Sequence, residues 1–261
     1  MKLKKMLGLT TLALSASLLV ACGSEATDTT ESGADSTASE KYIIGTDTTF
    51  APFEFENDEG DFVGIDIDLL AAIAEDQGFE YELRTLGFNA AVTALEAGQV
   101  DGVIAGMSIT EEREQKYDFS NPYYSTKTGV AVDPKKGISD LSELKGQQIA
   151  VKTGTTGAEY AESIKDEYGF DVKYVEDSAT MYQDVLTGNS AAAFEDYAVI
   201  QYEITRGMGL EVISQSEEGG QYGFATLKGK QADLVEKFNA GLENLKESGK
   251  YDEIISTYLG E

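Results

Sequence analysis

The chain has 261 residues, 47 of them acidic and 20 basic, with no histidine and a single cysteine, and its formal net charge is −27. So acidic a surface repels nucleic acid and anionic lipid headgroups. The lack of histidine excludes Ser-His-Asp and Cys-His catalysis and imidazole metal ligation, and one cysteine excludes an intramolecular disulfide.

The first segment pairs a basic start, Lys2, Lys4 and Lys5, with an apolar run over 7–21. That run is about 15 residues, short of the roughly 20 needed to span a bilayer, so 1–21 reads as a cleavable export signal. It ends in Leu19-Val20-Ala21-Cys22, which resembles the bacterial lipoprotein box. The resemblance implies that Cys22 is lipidated and becomes the first mature residue; two or three acyl chains hold a protein stably at a membrane. Residues 23–40 are rich in Ser, Thr, Ala, Asp and Glu and contain no large apolar side chain. Such a stretch buries too little to order itself, and 22–40 is expected to be a lipidated, flexible tether.

From residue 41 onward strand and helix signals alternate, the mark of α/β architecture. Tyr42-Ile43-Ile44-Gly45 predicts a buried strand, and 53–65 a hairpin turned at Asn57-Asp58-Glu59-Gly60. Asp66 is placed to cap a helix whose Ile67, Leu70, Ile73 and Ala74 recur at helical spacing and which Gly78 ends. Phe79, Tyr81 and Leu83 alternate with polar neighbours as a half-buried strand. A helix through Val92 and Leu95 follows, stopped near Gly98, and then a strand over 100–105. A second unit opens after Pro122, with strands predicted at 129–132, 148–151, 172–175, 191–194 and 210–213. Helices fit at 157–168, 181–186 and 197–205. A strand at 222–226 and helices at 234–245 and 251–258 complete the pattern. About 220 residues in two α/β blocks predict two lobes.

Several phrases in order carry a resemblance. They are Gly45-Thr46-Asp47-Thr48-Thr49-Phe50-Ala51-Pro52-Phe53, Val63-Gly64-Ile65-Asp66-Ile67-Asp68-Leu69 and Ala105-Gly106-Met107-Ser108-Ile109-Thr110-Glu111-Glu112-Arg113. Two more are Tyr117-Asp118-Phe119-Ser120-Asn121-Pro122-Tyr123-Tyr124 and Ile149-Ala150-Val151-Lys152-Thr153-Gly154-Thr155. Across nearly all of 41–261 the chain resembles the polar amino-acid binding proteins of ABC importers, solute-binding protein family 3, and the glutamine binders most. The resemblance implies a two-lobed type II periplasmic-binding-protein fold with a two-strand hinge. Lobe 1 is then 41–122 plus 223–261, lobe 2 is 128–217, and the hinge is 123–127 with 218–222.

The resemblance also implies a site. A free amino acid presents a carboxylate and an ammonium, so its receptor needs a guanidinium and a carboxylate at fixed separation. Arg113 matches the carboxylate-binding arginine, helped by the backbone at Ala105 and Gly106 and by Ser108; Asp196 matches the ammonium-binding aspartate. Phe50 and Phe88 match aromatics that sandwich the ligand. Asp47 and Lys152 match positions that touch a side-chain amide in the glutamine binders, which puts glutamine first. Two positions depart from that pattern: Glu195 stands where the glutamine binders have a histidine, and Thr156 where they have a glycine. If Glu195 neutralises Lys152, the pocket can accept arginine, lysine or histidine instead; if Glu195 faces solvent, glutamine stays first; cystine is a further alternative. The implied role is an extracellular, lipid-anchored, monomeric receptor that delivers to an ABC permease, with no cofactor, no metal and no nucleic-acid partner. The alternative of a different class is a cyclohexadienyl-dehydratase-like enzyme on the same fold. Gly154-Thr155-Thr156-Gly157 is not a phosphate loop, because Lys152 precedes the glycines.

Overall fold

The computed structural model describes residues 41–260. The expected export signal, Cys22 and the tether lie outside the described residues, as does Glu261. The chain opens with β1 (Lys41–Thr46). β2 (Thr49–Phe50), β3 (Glu54–Glu56) and β4 (Phe62–Val63) then form a small antiparallel sheet, turned between β3 and β4 at Asn57-Asp58-Glu59-Gly60. Next come α1 (Ile65–Gln77), β5 (Glu80–Thr85), α2 (Phe88–Glu96) and β6 (Gly102–Val103). The four-residue α3 (Glu111–Glu114) and β7 (Tyr117–Phe119) finish this block.

β8 (Tyr124–Val132) leads into a second block of β9 (Gln148–Lys152), α4 (Thr156–Tyr168), β10 (Asp171–Val175) and α5 (Ser178–Leu186). β11 (Ala192–Asp196) and α6 (Tyr197–Thr205) follow, and β12 (Glu211–Tyr222) runs back. β13 (Ala225–Leu227), α7 (Ala232–Ser248) and α8 (Lys250–Leu259) rejoin the first block. The result is a two-lobed α/β fold. One five-stranded sheet has the order β5-β1-β6-β13-β7 and the other β10-β9-β11-β8-β12. β8 and β12 pair antiparallel as far as Tyr222 opposite Tyr124, and Tyr222 also bridges to Ser108 of the first block. The expected hinge segments fall on these paired ends.

Side-chain alternation explains the second lobe. Val130, Val132, Ile149, Val151, Ala192 and Phe194 share one core with Ala158 and Ala161 of α4. Ala131, Ala150 and Ala193, one residue out of step, share the opposite core with Met181, Tyr182 and Val185 of α5. Successive strand residues point to opposite faces, and helices cover both. In the first lobe Leu69, Leu70 and Ile73 of α1 join Phe238, Leu242 and Leu245 of α7 in one core. Burying a side chain of this size stabilises the fold by about 1.5–3 kcal/mol.

Five expectations are corrected. Asp66 is not the cap of α1. Gly64 is, at φ 142, where a Cβ would meet the Phe53 carbonyl oxygen at 2.0 Å. Asp66 lies inside the first turn, fully buried. The strand expected at 100–105 shrinks to Gly102–Val103, because the chain turns at Gly106 to line the cleft. The strand expected at 210–213 runs on to Tyr222, and the one at 222–226 moves to Ala225–Leu227. Glu195 does not face solvent: its side of the sheet is covered by α5, and it is buried.

Candidate ligand-binding site

Between the lobes lies a narrow, closed cavity. The first lobe brings Asp47 from the end of β1, Phe50 from β2 and Phe88 from the start of α2 to its wall. Ala105, Gly106 and Ser108, from the loop after β6, and Arg113 from α3 complete that side. The second lobe contributes Lys152 from the end of β9, Thr155 and Thr156 at the start of α4, and Asp196 at the end of β11. Of the expected site residues, Glu195 alone is absent from the wall. It sits one layer back, behind Lys152.

Arg113 spans the lobes. Its Nη1 donates to the Ser108 carbonyl and its Nη2 to the Gly154 carbonyl, both at 2.8 Å. The guanidinium lies 5.5 Å from the centre of the Phe88 ring. A guanidinium has five N–H donors, so donors remain for a carboxylate. Gly106 adopts φ +53, and a Cβ there would come within 2.3 Å of the Phe50 ring, so the position calls for glycine. The Ser108 and Thr156 hydroxyls meet across the cleft at 3.4 Å.

At the other end Lys152 forms an ion pair with Asp47, and each side chain is 1% exposed. Asp47 also accepts from the Thr48 and Phe88 amides at 2.6 and 3.2 Å. The Lys152 ammonium lies 5.0 Å from the centre of the Phe50 ring. Burial works against that ammonium, but Asp47 and Glu195 outweigh it and hold its pKa above the ordinary lysine value. Burial and the neighbouring Glu195 push Asp196 up to about 7, against the pull of the Tyr222 hydroxyl, Arg113 and Lys152. Asp196 occupies the N-cap position of α6 yet makes no side-chain cap bond; its carboxylate lines the cavity with the Tyr222 hydroxyl against it.

Sequence reasoning missed two participants. Thr155 lines the cavity, caps α4 through the Ala158 amide at 3.2 Å and donates to the Lys152 carbonyl at 2.8 Å. Ser178, in the first turn of α5, is buried and reaches both Lys152 and Glu195. The signal for each was a hydroxyl residue at a helix start, a common feature with no mark of a site. Among the described residues no group of His, Cys, Asp and Glu is arranged to hold a metal ion, and no helix is long and apolar enough to cross a membrane. The arrangement is suited to a zwitterion: a guanidinium and a buried carboxylate face one cavity, with a second charged pair beyond them.

Residues 42–261 match the family model of bacterial extracellular solute-binding proteins, family 3. The arginine-binding extracellular protein ArtP of Bacillus subtilis (strain 168) is 31% identical over 242 residues, covering 90% of each chain. Substrate binding domain 2 of Lactococcus lactis GlnP, solved in an open conformation, is 41% identical. That match has a TM-score of 0.60 and covers 86% of this chain and 97% of that one. An ancestral arginine-binding protein bound to glutamine is 35% identical with a TM-score of 0.77, covering 85% and 98%.

Proposed function

Because this chain belongs to the bacterial extracellular solute-binding proteins of family 3, we propose that it is the lipid-anchored receptor of an amino-acid ABC importer. It takes a free polar L-amino acid, glutamine first, between its lobes and presents it to a permease. In this reading Cys22 carries the lipid and 23–40 is the tether. Residues 41–122 with 223–261 form lobe 1, 128–217 form lobe 2, and 123–127 with 218–222 bend between them. The observation that carries the reading is that Arg113 and Asp196, from opposite lobes, line one cavity between them. Arg113 takes the ligand carboxylate with the backbone at Ala105 and Gly106 and with Ser108. Asp196 takes the ammonium, and Phe50 and Phe88 flank the ligand. Asp47 and Lys152 meet the amide, with Thr155 and Thr156 closing the second-lobe side. A binding role is favoured over a dehydratase-like enzyme by the relatives above, whose names are those of binding proteins.

A cationic ligand is the second reading. It is favoured by one observation: two buried carboxylates, Asp47 and Glu195, surround the single ammonium of Lys152. The deciding experiment is a calorimetric screen of the twenty amino acids with cystine and ornithine, on wild type, Arg113→Ala and Asp196→Ala. Each variant is expected to lose roughly 2–5 kcal/mol of binding, the range for truncating one partner of a buried charge pair. Near-wild-type affinity in both variants would remove the site assignment.

A further inference from the structure

The end of the cavity away from Arg113 holds one carboxylate more than its ammonium can neutralise. Lys152 and Asp47 pair directly, and Glu195, equally buried, approaches the ammonium from behind. Ser178 is the link. Its hydroxyl donates to Glu195 Oε2 at 2.8 Å and accepts from Lys152 Nζ at 3.3 Å. Glu195 Oε1 accepts from the Asp196 amide at 3.1 Å. The alternation of the second sheet dictates this meeting: Lys152 continues the Ala150 side and Glu195 the Ala193 side, both towards α5.

An unmatched buried charge is costly enough that it recruits a proton or a counter-charge. The groups that face Glu195 are Lys152 from β9, Asp47 after β1, and Ser178 and Tyr182 from α5. Asp196 from its own strand and Tyr222 from β12 add to them, and Glu54 of β3 acts on Lys152. Lys152 is the cation in that set. Burial pushes the Glu195 carboxyl up, with Asp47 adding to it, while Lys152 and the two hydrogen bonds pull the other way.

We propose that Glu195, acting through Ser178 and Lys152 as a positioning residue, sets the charge that the cavity demands of a ligand side chain. When Glu195 is ionised, one negative charge is unmatched and the site takes a cationic side chain. When it is neutral, Asp47 and Lys152 balance and the site takes an amide. This inference rests on the amino-acid reading above.

The test is calorimetry of the full chain with L-arginine and L-glutamine, at about pH 6 and about pH 8. In wild type the ratio of arginine to glutamine affinity rises with pH. Glu195→Gln shifts the ratio towards glutamine by about tenfold or more at the higher pH and removes its pH dependence. Ser178→Ala, which deprives the Glu195 carboxylate of a donor, moves the ratio the same way, and Ser178→Thr restores it. A folded Glu195→Gln protein whose ratio follows wild type at both pH values overturns the proposal. Should that variant fail to fold, an unchanged ratio in Ser178→Ala does so. Wild type that binds no amino acid overturns instead the functional reading, and the inference with it.

Discussion

Glu54 and Asp66 are fully buried behind the cavity wall, and their carboxyls meet each other there. Asp66 Oδ2 accepts from the Gly106 amide at 2.8 Å and from the Tyr123 hydroxyl at 2.9 Å, tying the cavity loop to the start of β8. Burial, with Asp66 and Asp47 nearby, raises the Glu54 carboxyl well above its ordinary value, and burial raises Asp66 to about 7. A carboxyl raised on folding binds more protons folded than unfolded, so stability falls as pH rises from about 4 to about 7. The midpoint of thermal unfolding is therefore expected to be higher near pH 5 than near pH 8, and Glu54→Gln, of equal size and uncharged, to flatten that difference. A scan in which Glu54→Gln keeps the full wild-type slope would locate the dependence elsewhere. None of this was legible in the sequence, where Glu54 read as one hairpin position among several and Asp66 as a helix cap. Arg113 and Asp196 were singled out because family phrases marked them, since their own surroundings look like an exposed helix and an ordinary cap.

At the scale of elements, periodicity found the long pieces. α1, α4 and α7 follow from apolar residues at helical spacing, and β9 and β11 from short apolar runs. It could not find α3 or β7, whose four and three residues are too short for a period to show. Yet α3 carries Arg113, and the loop before it carries Gly106, so the least legible elements do the most in the site. Gly106 has a testable consequence. An alanine would have to hold φ near +53 and place its Cβ 2.3 Å from a Phe50 ring carbon. The left-handed conformation alone costs about 1–2 kcal/mol, and the ring must also move. Gly106→Ala is expected to lower the unfolding midpoint by several degrees and to weaken binding of every amino acid that binds wild type, because the loop amides lose their aim. Unchanged calorimetric affinity would show that those amides do not contact ligand.

At the scale of the whole molecule the lobes are closed on each other, and part of what closes them lies outside the cavity. Phe55 of β3 packs on Tyr202 of α6 with ring centres 5.7 Å apart, and the Arg206 guanidinium lies 5.5 Å over the Tyr202 ring. Arg206 also reaches Asp58 at 3.6 Å, but the Asp58 side chain is 90% exposed. An exposed ion pair contributes about 0–1 kcal/mol, whereas an aromatic pair adds about 0.5–1.5 kcal/mol beyond its buried area. The ring contact is the stronger clasp. A binding-competent state populated to a fraction f weakens every ligand by the same factor 1/f. Tyr202→Ala is thus expected to lower glutamine and arginine affinity by a similar, several-fold amount and leave their ratio intact. Ligand-free small-angle scattering should show a larger radius of gyration, restored at saturating ligand. The contrast with Glu195→Gln, which is expected to move the ratio, separates closure from side-chain selection. A Tyr202→Ala protein with wild-type affinity and radius would show that closure is governed from within the cavity, by Arg113 on Gly154 and Lys152 on Asp47.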